Sequence, residues 1–177
     1  MAENAGSPTP SVFSHWILHN WARAGLVLAI ALLALAPLIG RTGNRATLMV
    51  YLWLPTYMLH QFEEHGSGKF LAFYKQRMPG IVPALTERKL LFVNLGAVWL
   101  LFPMSTYAAM FGYLGLALYA PYVSVVNAMM HVGQLIAWRS YNPGLWTAVL
   151  LFFPGGAYTI HVLSRAGATR SRYPSGS

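Results

Sequence analysis

Two adjacent carboxylates, Glu63 and Glu64, belong to a chain with only four acidic side chains, in the run His60-Gln61-Phe62-Glu63-Glu64-His65 that ends a membrane-length apolar segment. An ionisable group at membrane depth costs about 2.5–3.5 kcal/mol on insertion scales, so it calls for a partner or a function. Near a helix C-terminus the negative end of the macrodipole adds to that cost. A proton, a metal ion or a basic side chain is therefore expected beside the pair. His60 lies four residues from Glu64 and three from Glu63, which puts all three on about a third of a helix circumference. One helix thus offers an imidazole and a carboxylate to a single cation. His65 falls about 140° round from His60, so the run is neither an HExxH nor an HxxEH zinc helix.

A second helix has to complete any such site. Ser124, Asn127, His131, Gln134 and Trp138 recur at steps of three and four, one polar stripe on an otherwise apolar segment. Interhelical hydrogen bonding, worth about 0.6 kcal/mol per contact, accounts for Asn127 or Gln134 taken singly. His131 differs, because helical rise places it at the same depth as the glutamates. The expected metal set is His60, Glu64 and His131, two imidazoles and a carboxylate with open positions, which suits one divalent ion, zinc or iron before manganese. Glu63 is then the expected general base towards a bound water. The chain has no GxSxG elbow, no Gly-rich phosphate loop and no Asp, so serine-hydrolase and nucleotide chemistries lack their parts.

The elements that must position these residues follow from composition. With 177 residues, 56% hydrophobic and 9% charged, the chain reads as a single polytopic membrane domain, an all-α bundle of about five transmembrane helices. The spans are expected near 24–40, 47–64, 89–111, 113–138 and 145–165. An interfacial loop, 66–88, contains Phe70, Leu71, Phe73 and Tyr74 beside Lys69, Lys75 and Arg77, as in a headgroup anchor or a lid. A disordered tail, 1–11, and a basic tail, 166–177, flank the 12–165 domain. The net charge of +8 sits in loops and tails, where anionic headgroups attract it, so the lipid bilayer is the expected partner and nucleic acid is not. Cysteine is absent, which removes disulfides and thiolate chemistry.

Five spans impose a parity. The chain start, the 66–88 loop and the Arg139–Gly144 turn share one face, and Arg41–Arg45 and the C-terminal tail the other. By helical rise His60 lies about 9 Å and His131 about 12 Å from their ends of the bundle. His161 belongs to the far side unless Pro154-Gly155-Gly156 breaks its helix. A slight excess of Lys and Arg puts the cluster face in the cytoplasm.

The residues His60-Gln61-Phe62-Glu63-Glu64, Asn127-Ala128-Met129-Met130-His131 and Arg139-Ser140-Tyr141-Asn142-Pro143-Gly144 resemble those of the HXXEE-domain family of integral membrane proteins. The resemblance runs from the second span onward. It implies that His60, Glu63, Glu64, Asn127 and His131 act together, with Glu63, Glu64 and Asn127 the catalytic candidates, and it names no reaction. The expected function is a membrane-embedded enzyme acting on an apolar small molecule by metal-assisted water activation, hydrolase-like. An acid/base cyclase or isomerase using the Glu63/Glu64 pair, a proton-coupled transporter and a structural membrane protein are the alternatives.

Overall fold

Pro55, Pro103 and Pro154 each follow a break or a π-helical turn in the helical run, whereas Pro37 and Pro121 lie within unbroken helices. In the computed structural model, which describes residues 12–80 and 84–167 (12–15 as backbone only), all regular elements among the described residues are helices. The tail expected over 1–11, and the part of the basic tail beyond 167, lie outside them. The first helix, α1, runs Val12–Thr42 and is longer than the 24–40 span expected. The aromatic-rich stretch before Ala24 continues the helix because Trp21 and Ala22 pack with Leu91.

After a tight turn, Asn44 caps α2 (Arg45–Tyr51), its side chain accepting from the Thr47 amide at 2.8 Å. Leu52 separates α2 from α3 (Trp53–His65). Pro55 has no N–H for the Tyr51 carbonyl, which accounts for the break. α4 is Phe70–Arg77, and α5 (Glu87–Asn94) starts at the cap residue Thr86. α5 passes through a π-helical turn, Leu95–Leu100, into α6 (Leu101–Met110). A short α7 (Leu114–Ala117) leads into α8 (Tyr119–Trp138). α9 (Leu145–Thr147) passes through a second π-helical turn, Ala148–Phe152, into α10 (Phe153–Arg165). The two π turns precede Pro103 and Pro154, again sites of a missing amide.

Three stretches, Trp16–Thr42, Glu87–Met110 and Leu145–Arg165, are long and apolar enough to cross a membrane. α2 and α3, 7 and 13 residues long, fall short of that mark because the helix breaks at Leu52, and α8 falls short because it carries the polar stripe singled out from the sequence. The parity argument agrees with the contacts. Arg23 of α1 donates to the Gly66 carbonyl at 3.2 Å, and Arg77 of α4 donates to the Ser140 hydroxyl at 2.8 Å, so chain start, loop and turn meet at one end. At the other end Asn44, Gly112, His161 and Arg165 surround one cavity. α10 is unbroken after Pro154, which sits harmlessly in its first turn, and His161 therefore falls on the far side.

The core is aromatic at the middle of the bundle, where Trp53, Tyr57, Phe102 and Phe152 are buried together. α10 approaches α8 through Gly156, where a Cβ would collide with Val125.

Candidate metal and substrate site

Three side chains from two helices converge at the end of the bundle where the 139–144 turn closes. His60 and Glu64 from α3 and His131 from α8 present ligand atoms that all lie within 4.8 Å of one another, and all three residues are buried. Glu64 Oε1 stands 3.1 Å from His131 Nε2 and 3.5 Å from His60 Nε2. Tetrahedral zinc with ligands near 2.0–2.1 Å has ligand–ligand edges of about 3.3 Å, between those two values. The imidazole rings stand edge to face with centroids 5.0 Å apart, so the depths matched by helical rise do meet in space.

The outer nitrogens fix the tautomers. Asn142 Nδ2 donates to the His131 carbonyl at 3.0 Å, which orients the amide so that its Oδ1 faces His131 Nδ1 at 2.6 Å. An amide oxygen only accepts, so His131 Nδ1 carries a proton. On His60, Nδ1 meets Thr147 Oγ1 at 2.8 Å, and that hydroxyl donates to Glu63 Oε2 at 2.6 Å. Its single proton being committed to the carboxylate, the Thr147 oxygen accepts from His60 Nδ1–H. With a proton on each Nδ1, an imidazole that carries no second proton turns its Nε2 lone pair towards Glu64. His60 Nε2 is buried with no hydrogen-bond partner. Three acceptors facing one another without a donor are unstable in a buried site unless a cation or an added proton joins them.

Glu63, the expected general base, has a different setting. Its Oε1 accepts from the Tyr141 hydroxyl at 2.9 Å and the Trp146 amide at 3.0 Å, and its Oε2 from the Thr147 amide at 2.8 Å as well as the Thr147 hydroxyl. With four donors on two oxygens, Glu63 anchors the start of α9 and, through Thr147, holds His60. It is not aimed at the cluster. The two adjacent glutamates thus separate, one to the imidazoles and one to the turn.

The turn itself explains the motif around Gly144. Arg139 closes α8 in the left-handed region, φ 48°, and Gly144 opens α9 at φ 95°. A Cβ on Gly144 would stand 2.7 Å from Cε1 of both His60 and His131 and 2.8 Å from Cγ of Glu64. Only glycine permits that conformation at that distance. Tyr141, Asn142, Gly144 and Thr147 are the site residues that periodicity did not single out. Tyr141, Asn142 and Gly144 belong to the turn motif, whose spacing alone did not reveal that Tyr141 bonds Glu63, Asn142 bonds His131 and Gly144 abuts all three ligands; Thr147, beyond the motif, had no such signal. Burial raises the Tyr141 phenol to about 12, with the hydrogen bond to Glu63 adding to it.

His65, placed off the site by its spacing, still reaches Glu64 Oε2 at 3.4 Å, its ring packed against Trp21 and Phe70. Aromatic rings also wall His60, Phe152 at 4.5 Å and Tyr57 at 5.4 Å between centroids. Gln61, fully buried, receives the Trp99 indole N–H at 2.8 Å and donates to Asn94 at 2.8 Å, which ties α3 to the first π turn and α5.

Beside the cluster is a cavity of about 390 Å³, with Glu64, Asn127, His131 and Gln134 on its polar side and Met78, Leu85, Leu90, Val93 and Met130 on its apolar side. Asn127 Oδ1 is buried there with no hydrogen-bond partner. The α8 stripe otherwise divides: Ser124 bonds its own helix, Gln134 accepts from the Tyr74 hydroxyl at 2.8 Å, and Trp138 lies under Arg77. α4, the helix expected within the 66–88 loop, is thereby tied to α8 and contributes Phe70 and Tyr74 to the cavity wall.

A buried two-histidine, one-carboxylate cluster inside an all-helical bundle, with a partly apolar cavity at its side, defines the class. The chain belongs to the family of proteins of unknown function with an HXXEE motif, whose model matches residues 51–159 and so contains every cluster residue described above. No curated protein and no solved structure matches the chain.

Proposed function

We propose that the chain is a multi-pass membrane enzyme in which His60, Glu64 and His131 hold one divalent metal ion, zinc or iron before manganese, next to a pocket for an apolar small molecule. The observation that carries this reading is the convergence of three acceptors with no donor between them, each imidazole fixed from behind by a separate partner. Such outer hydrogen bonds orient metal-binding histidines and raise their basicity. A metal ion there would supply Lewis acidity and would acidify a bound water, so a hydrolase-like reaction is favoured. Asn127, unpartnered and facing the cavity, would orient the polar group of the substrate. Glu63 would act on His60 through Thr147 as a positioning residue. The cavity is of ligand size and lies between α4, α5 and α8, with exposed Val93 and Met130 at its rim, which favours entry of a lipophilic molecule from the bilayer.

In this reading the bundle has five spans, α1, α2–α3, α5–α6, α8 and α9–α10, with the cluster end facing the cytoplasm. Single cysteines replacing Ser67 and Ser140 should react with an impermeant maleimide from one side of the membrane, and one replacing Thr42 from the other. Labelling of Ser67 and Ser140 positions from opposite sides would refute the topology.

A second reading rests on the 3.1 Å contact between His131 and Glu64. With a proton in place of the metal, these two form an imidazolium–carboxylate pair able to protonate an alkene or epoxide, as in a cyclase or isomerase. Incubating wild type and Glu64→Gln with apolar cell extracts in H₂¹⁸O distinguishes the two. Glu64-dependent products carrying ¹⁸O support water activation, and Glu64-dependent products without it support isomerisation. Identical product profiles for both proteins would refute either catalytic reading.

A further inference from the structure

At the end of the bundle away from the cluster, a cavity of about 630 Å³ is lined by Asn44, Arg45, Tyr158, His161 and Arg165, among others. Its volume falls in the range of small-molecule sites, roughly 300–1,000 Å³. The cations there have no internal counter-ion among the described residues. The four acidic side chains of the chain are Glu3, Glu63, Glu64 and Glu87. Glu63 and Glu64 are committed to the turn and the imidazoles, Glu87 opens α5 at the cluster end, and Glu3 lies outside the described residues. Arg45 is nevertheless held in place. Its guanidinium lies 5.3 Å from the centre of the Tyr158 ring and donates to the Tyr158 hydroxyl, two contacts that orient it without neutralising it. His161 and Arg165 are four residues apart on α10, hence on one face, and neither side chain has a partner among the described residues.

We propose that this cavity binds the phosphoryl group of an anionic ligand, supplied by a phospholipid headgroup or by free phosphate. A guanidinium fork matches phosphate oxygens in pairs, and one Arg45 N–H bonded to Tyr158 leaves four donors for that role. Basic pockets between helices at a membrane surface are suited to phospholipid headgroups for the same reason. The site is independent of the metal cluster.

The test uses the full chain purified in neutral detergent, with bound lipid counted by native mass spectrometry and thermal midpoints measured in parallel. Phosphatidylglycerol should be retained in about tenfold preference over phosphatidylcholine, and Arg45→Gln with Arg165→Gln should abolish that preference. Both arginines are exposed, so the double variant should keep the wild-type midpoint in detergent alone. A midpoint rise with inorganic phosphate equal to that with phosphatidylglycerol would identify free phosphate as the source. Salt titration of the wild type needs no variant, and the preference should collapse as salt screens the cations. Equal retention of both lipids together with no response to phosphate, or a preference indifferent to salt and to both substitutions, would overturn the proposal.

Discussion

Where α3 and α8 meet the 139–144 turn, the outer nitrogens of His60 and His131 each have a partner, while His60 Nε2 faces Glu64 and His131 with no hydrogen bond and Asn127 Oδ1 is unpartnered in the cavity beside them. At the far end of the bundle Arg45, His161 and Arg165 line a larger space, and only Arg45 is held by a neighbour. The first region is buried and organised from behind, so small geometric errors there should be costly. The second is exposed and loosely held, so single substitutions should be cheap. The contrast shows that cavity size is a poor guide to chemistry in this fold. The larger cavity is cationic and open, and the smaller one borders the only described set of buried residues able to share an ion.

The contrast is broken most readily at Gly144. Alanine there would combine left-handed backbone strain with a collision against both imidazoles, for a loss of roughly 2–4 kcal/mol. The detergent thermal midpoint should fall sharply and bound metal should be lost. An unchanged midpoint would mean that the turn does not press on the cluster. Next in size, Thr147→Val removes the hydrogen-bonded link from Glu63 to His60 and should weaken metal binding about 10–100-fold while leaving full loading attainable in excess metal. Competition against a chelator of known affinity measures it, and unchanged affinity would remove Glu63 from any positioning role.

The smallest effect is expected at Tyr141, whose hydroxyl is one of four donors to Glu63. Tyr141→Phe should cost about 1 kcal/mol or less, because the side chain is partly exposed. It should also alter the alkaline limb of stability. A phenol raised to about 12 in the folded protein, against an ordinary value of 10, contributes stability below pH 10 that is lost as pH rises through about 12. The wild type should therefore lose its margin over Tyr141→Phe across that interval, as read by denaturant unfolding at fixed ionic strength. A margin that grows with pH would contradict the assigned hydrogen bond.

Much of the site is legible in the sequence, because spacing on a helix fixes direction. His60 and Glu64 at four residues, and the stripe through Asn127, His131 and Gln134, do point where periodicity places them. The 66–88 loop and the 139–144 turn, expected together from the sequence, meet through the Arg77–Ser140 hydrogen bond. The role of Glu63 was not legible. A three-residue step from His60 gives angular proximity, but its carboxylate is claimed by amides of α9, 83 and 84 residues further along the chain, and no local pattern reports that. The same holds for Asn142 and Thr147, which act on the imidazoles through single bonds. The extent of α1 was also missed, because tertiary packing of Trp21 and Ala22 continues a helix through a stretch whose composition suggested an interface.

The metal content of the protein tests the central claim most directly. Wild type purified without chelators should contain about one zinc, iron or manganese ion per chain by elemental analysis, and His60→Ala, Glu64→Gln and His131→Ala should each contain less than about a tenth of that, as expected when one of three protein ligands is removed. Adding the same metal to chelator-stripped wild type should raise its thermal midpoint, by about 2.7 kcal/mol of stabilisation at a hundredfold excess over the dissociation constant. A wild type that holds no metal, and whose stripped form does not respond to zinc, iron or manganese, would contradict the account.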